Sequence, residues 1–220
     1  MRKVIVGAFV SLDGVMQAPG GPQEDPRGGF KYGGWVAPWF DEALGSAVDD
    51  MMGQPFDLLL GRRTYDIFAA YWPYRLEDHE YEGIANKFDA CAKYVATHHP
   101  ETLTWKGSHS LGEDVVEGVR KLKQEDGPDL LTQGSTELLH QLFAADLVDR
   151  LQVMTFPVVL GKGRRLFDDG SHAGAFRLVK SSATPNGVAI ATYERSGEVP
   201  TGDFGQDVTA AELERRRTLV

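Results

Sequence analysis

Four short apolar runs, Lys3–Val10, Asp57–Leu60, Tyr94–Thr97 and Asp129–Thr132, are each followed by a segment whose apolar residues recur at helical spacing. Runs of this length suit strands buried on both faces. The segments between them suit helices. Pro38–Met52 carries Phe40, Leu44, Ala47, Val48 and Met51, and Thr64–Tyr71 reads as the start of a second helix. Glu80–Ala92, Gly112–Gln124 (through Val115, Val119 and Leu122) and Glu137–Ala145 (through Leu138, Leu139, Leu142 and Phe143) follow the same period. Parallel strands must be joined by a crossover, usually a helix, so this alternation predicts an α/β fold with a largely parallel sheet covered on both faces.

The pattern changes near residue 150. Arg150–Leu160, Phe176–Ser182 and Gly187–Glu194 read as strands with little helix between them, the last two flanking the turn Thr184-Pro185-Asn186-Gly187. An antiparallel hairpin is therefore expected to complete the edge of a mixed sheet within one domain spanning residues 1–195. Residues 196–220 hold no core-sized apolar pattern and read as a tail, disordered or with a short helix at Ala210–Arg217. Gln17–Trp35 contains six glycines and three prolines among nineteen residues, too many breakers for a regular element, and is expected to form a long loop of the lid type.

The formal net charge of -9 disfavours nucleic acid and anionic membrane surfaces as partners, and no run approaches the length needed to span a bilayer. The single cysteine, Cys91, excludes an intrachain disulfide and fits a cytoplasmic location. The apolar Val4–Val10 run after two basic residues superficially echoes a leader, but it ends in Ser11-Leu12-Asp13-Gly14 as a strand entering a loop would. His98-His99 would point to opposite faces of a strand, and no metal site is expected.

Two junctions carry the chemistry. Gly61-Arg62-Arg63-Thr64-Tyr65 follows the second strand and opens a helix, with Thr64 available as its N-cap. Gln133-Gly134-Ser135-Thr136-Glu137 repeats the arrangement after the strand Asp129–Thr132. Each alone is either an ordinary capped turn or an anion site. Two helix N-termini at one edge of a parallel sheet, with two guanidinium groups, could hold a dinucleotide at several phosphates. No Gly-x-Gly-x-x-Gly fingerprint, P-loop, His-Glu-x-x-His or Gly-x-Ser-x-Gly elbow is present in the required context, so the standard Rossmann, nucleotide-hydrolase, zinc-protease and serine-hydrolase signatures are absent.

Together with Ser11-Leu12-Asp13-Gly14, Leu147-Val148-Asp149-Arg150-Leu151 and Pro157-Val158-Val159-Leu160-Gly161-Lys162-Gly163, these motifs resemble the dihydrofolate-reductase-like superfamily over roughly residues 2–195. The nearest resemblance is to the C-terminal reductase domain of the bifunctional riboflavin-biosynthesis deaminase/reductase and its free-standing relatives. It implies a three-layer fold with a sheet of about eight strands, and an NADPH-dependent oxidoreductase acting on a small planar heterocycle, pterin-like or pyrimidine-like, including the phosphoribosylamino-uracil of riboflavin biosynthesis. The alternative is a non-catalytic NADP(H)-binding sensor or binding module. The resemblance also implies a homodimer.

By position it puts Arg62, Arg63 and Thr64, after Gly61, at the adenosine 2′-phosphate and pyrophosphate, and Thr97 at the adenosine end. It puts Gly134, Ser135 and Thr136 at the pyrophosphate, and Val10, Ser11 and Met16 beside the nicotinamide. In dihydrofolate reductases a carboxylate after the lid binds the ring. Asp41 and Glu42 stand nearest that place, as catalytic candidates or as first-turn acids favoured by the helix dipole. Trp39, Phe68 and Trp72, with Trp35, could stack on a flat ring or belong to the core. Asp13 reads as a turn residue. Riboflavin-pathway reductases carry a glutamate where this chain has Thr132, and the zinc deaminase signature is missing.

Overall fold

The computed structural model describes residues 1–205 and 208–219. One eight-stranded sheet runs through it: β1 (Val4–Ser11), β2 (Phe56–Gly61), β3 (Lys93–Ala96), β4 (Ser108–Ser110), β5 (Asp129–Gln133), β6 (Arg150–Phe156), β7 (Ala175–Ala183) and β8 (Ala189–Gly197). The spatial order is β4-β3-β2-β5-β1-β6-β8-β7. The first six strands are mutually parallel, while β8 pairs antiparallel with both β6 and β7. This is the mixed, mostly parallel sheet that the strand-helix alternation predicts, and β7 forms the edge as expected of the hairpin.

Strand alternation decides which side chain faces which layer. In β1, Val4, Val6, Ala8 and Val10 pack against one layer, with Val119, Leu122, Leu139 and Leu142 of α4 (Val115–Gln124) and α5 (Thr136–Ala144). Ile5 and Phe9 point to the other, which holds Leu44 and Val48 of α1 (Glu42–Met51), Tyr65 of α2 (Arg62–Ala69) and Phe88 of α3 (Glu82–Ala90). Two apolar clusters on opposite faces make three layers. A short helix, α6 (Ala210–Arg217), follows in the tail.

Several boundaries differ from expectation for local reasons. The first helix does not begin at Pro38: a 3-10 turn spans Ala37–Trp39, and α1 starts where the Asp41 carboxylate accepts the Leu44 N–H at 2.8 Å. Likewise α4 starts at Val115, not at Gly112, because Asp114 accepts from the Glu117 N–H. β6 ends at Phe156, before Pro157, whose ring cannot donate to a ladder. β4 was not expected at all; three residues, Ser-His-Ser, give no apolar pattern to read. Thr64 does not cap α2, which begins two residues earlier with Gly61 in the N-cap position.

Candidate functional site

At the carboxyl ends of the central strands lies a cleft of about 690 Å³. Its floor is built from the two glycine junctions, which are bonded to one another. The Gly61 N–H donates to the Ser135 hydroxyl oxygen at 2.8 Å, the Ser135 N–H donates to the Thr64 hydroxyl oxygen at 3.0 Å, and the two hydroxyls are 3.0 Å apart. Ser135 therefore spends its side chain across the sheet and leaves α5 without a side-chain cap. Its backbone sits in the left-handed region, with φ 60°. Gly134 has φ 64°, and a Cβ there would stand 3.1 Å from the Thr64 hydroxyl oxygen. Close backbone approach is thus built into the junction.

The first intrahelical bond of α5 runs from the Leu139 N–H to the Ser135 carbonyl. The N–H groups of Thr136, Glu137 and Leu138 precede it without helical acceptors, and these three residues line the cleft. Such donors suit an anionic ligand.

The cleft's arginines are already matched by acids. Arg62 pairs with Asp66 at 2.9 Å and also reaches the Thr102 hydroxyl, the Thr97 hydroxyl and the His99 carbonyl. Arg63 lies 4.0 Å from Asp25, which also forms a two-point pair with Arg27 at 2.7 Å. Arg164 pairs with Glu137 at 2.7 Å. The Arg27 contact holds the buried Asp25 carboxyl below its ordinary range, while burial pushes Glu24 up even though it accepts the Gly20 and Gly21 N–H groups. An anion entering the cleft must compete with these internal partners.

The long loop is packed onto the site. Gln17 is buried; its amide donates to the Asp25 and Arg27 carbonyls and accepts from the Arg164 N–H. Trp35 donates its indole N–H to the Gln17 carbonyl at 2.9 Å and packs edge-on against Phe156. No period marks Gln17, because its side-chain partners are backbone groups, two in the same loop and one at Arg164. The buried Asp25 had a sequence signal, an acid two residues before Arg27, but its burial is a tertiary fact.

Of the residues singled out by sequence, the structure brings Met16, Gly61, Arg62, Arg63, Thr64, Phe68, Trp72, Thr97, Gly134, Ser135 and Thr136 into this cleft. Phe68 and Trp72 line it while resting on Phe88, at centroid distances of 5.6 and 5.1 Å. It does not bring the others. Val10 is buried in the α4/α5 layer. The Ser11 hydroxyl donates to Asp13 and accepts the Val15 N–H beneath the surface. From β1, the wall is made instead by Gly7, Ala8 and Phe9. Asp41 and Trp39 also lie off the cleft: the Asp41 carboxylate caps α1 and accepts the Asn186 N–H. Asp13 holds its turn, as expected, accepting from Ser11, Leu160 and Gly161. Burial alone would raise its pKa, but these hydrogen bonds outweigh that and bring it down to about 2.

Among the described residues, no group of three or more His, Cys, Asp or Glu side chains could hold a metal ion, and no helix is long and apolar enough to cross a membrane. The family model described as the RibD C-terminal domain matches residues 2–190. The Bacillus subtilis (strain 168) protein YyaP, itself described as uncharacterized, is 24% identical over 200 residues, covering 89% of this chain and 96% of its own. A putative riboflavin biosynthesis protein from Shewanella sp. PV-4 superimposes with a TM-score of 0.57 at 18% identity, over 88% of this chain and 99% of its own. Dihydrofolate reductase from Enterococcus faecalis, solved with NADP(H) and RAB-propyl, has a TM-score of 0.55 at 13% identity, over 88% of this chain and 96% of its own.

Proposed function

The chain belongs to the RibD C-terminal domain family, and we propose that it is a reductase that uses NADPH to reduce a small planar heterocycle. The observation that carries this reading is that one cleft joins a phosphate-suited floor to an apolar wall. The floor fits a dinucleotide: Gly134 lets the backbone approach closely, and the α5 N–H groups have no helical acceptors. Arg62 and Arg63 are the groups assigned to the 2′-phosphate, with Thr97 beside them and Thr64, Ser135 and Thr136 toward the pyrophosphate.

When bound, the cofactor supplies a hydride. The chain's own part is to orient both rings and exclude water, because hydride transfer needs the partners in near-attack contact. Phe9, Val36, Met51 and Trp72 supply the apolar wall. The lid, held by Gln17 and Trp35, covers the same space. Asp41, off the cleft and engaged as a helix cap, is not retained as the proton donor. Glu24, which lines the cleft and whose carboxyl is shifted up by burial, is the acid nearest to that role.

The test is NADPH oxidation, followed by loss of its near-ultraviolet absorbance, across pterins, folates and ribitylaminopyrimidines. Turnover of any of them supports the reading. Tight NADPH binding without turnover would replace it by a sensor, and absence of NADPH binding would remove both.

A further inference from the structure

From β5 the side chain of Gln133 faces the α1 layer, as does the neighbouring Leu131 of the apolar cluster, and it lines the cleft. Its register partner on β1 is Gly7, where a Cβ would stand 2.5 Å from the Met51 sulfur and 3.7 Å from Gln133 Cγ. The missing side chain at Gly7 thus makes room for the Met51 thioether, which packs over Gly7 next to Gln133 and lines the cleft with it. The Gln133 carbonyl is used by the Ser135 hydroxyl, but its carboxamide has no hydrogen-bond partner among the described residues. The surrounding wall is Phe9, Val36, Met51, Phe68, Trp72 and Met154, all without charge. The cleft's arginines belong to the α2 junction, the lid and the segment after β6, each paired with an acid.

We infer that the Gln133 carboxamide reads a cis-amide (lactam) edge of an uncharged planar heterocycle, and so sets the substrate class of the proposed reductase. A carboxamide offers one N–H donor and one carbonyl acceptor side by side, the complement of a ring C=O next to a ring N–H. In an apolar pocket such a pair discriminates strongly, because a ligand lacking the edge leaves both polar groups unmet. An anionic arm such as a ribityl phosphate finds no cation on this wall. This inference rests on the reductase reading for the orientation of the cleft, but it concerns ligand recognition alone.

Lumazine, a flat pteridine-dione with lactam edges, serves as the probe. Its binding is read by quenching of tryptophan fluorescence in the wild type, Gln133→Leu and Gln133→Glu, with NADPH titrated in parallel. Losing two hydrogen bonds in the leucine variant should weaken lumazine roughly 10- to 100-fold while leaving NADPH within about three-fold. In the glutamate variant, an acceptor-only carboxylate should shift preference from lumazine to 2,4-diaminopteridine. Unchanged lumazine affinity in Gln133→Leu, or no lumazine binding by the wild type, would overturn the inference. Gln133-dependent lumazine binding by a protein that does not bind NADPH would uphold it and remove the reductase reading instead.

Discussion

The Ser135 N–H donates to the Thr64 hydroxyl at 3.0 Å, tying together two junctions 71 residues apart in the chain. With the return bond from the Gly61 N–H to the Ser135 hydroxyl, each junction fixes the other's backbone. The cleft floor is therefore one unit. Ser135→Ala leaves the Gly61 N–H without its partner and should cost about 1–3 kcal/mol in urea denaturation. Thr64→Val removes the acceptor of the Ser135 N–H. Because the two share a network, the double variant should deviate from additivity by about 1 kcal/mol; additive losses would show that the junctions act separately.

Arg62 and Arg63 are expected to distinguish NADPH from NADH. Replacing both by alanine should weaken NADPH about ten-fold or more, the range of charge-assisted hydrogen bonds, and NADH by less than about three-fold. Isothermal titration of both cofactors decides this. Equal losses would mean that the arginines serve mainly their internal partners, Asp66 and Asp25.

Two glycines should respond to a similar extent of crowding with losses of different size. At Gly7 the obstacle to a Cβ is the Met51 thioether, which can swing away, so Gly7→Ala should cost less than about 1.5 kcal/mol. The displaced thioether then fills the cleft, and heterocycle binding should weaken by about ten-fold. At Gly33 the obstacles are the backbone oxygens of Gly21 and Pro22, at 2.5 and 2.7 Å, which cannot move without the lid. Gly33→Ala should cost about 3 kcal/mol or more, read by thermal unfolding.

Asp13 gives a pH test. Its folded pKa is about 2 against an ordinary value of 3.8, so the carboxylate stabilises the fold above pH 3.8 and loses that contribution as pH falls toward 2. Asp13→Asn should be less stable than wild type at neutral pH, with the gap closing across that window. A gap independent of pH would sink the assignment of the Leu160 and Gly161 N–H bonds to the ionised form.

Local pattern carried much of the fold. Apolar runs, helical periods and the Thr184–Gly187 turn are properties of neighbouring residues, and they specified strand-helix alternation, the closing hairpin and the two glycine junctions. Where a side chain leaves its own element, pattern gave no guide. Asp41 stood at the right spacing for a ring-binding acid, yet capping the α1 N-terminus takes its carboxylate off the cleft. Val10 and Ser11 lie one to two residues beyond the stretch of β1 that reaches the site, and alternation buries the first while a local turn consumes the second.

The sequence by itself determined which segments become strands and helices and that two glycine-hydroxyl turns open helices at one sheet edge. Tertiary structure alone decided that these turns bond to each other, that Gln17 and Asp25 are buried within the lid, and that Gln133 lines the cleft beside Gly7 and Met51. Secondary structure follows from chemistry repeated every two or 3.6 residues, which a chain displays in order. A site is made from residues that only strand order and parallel register bring together, and that pairing is set by the free energy of the whole sheet.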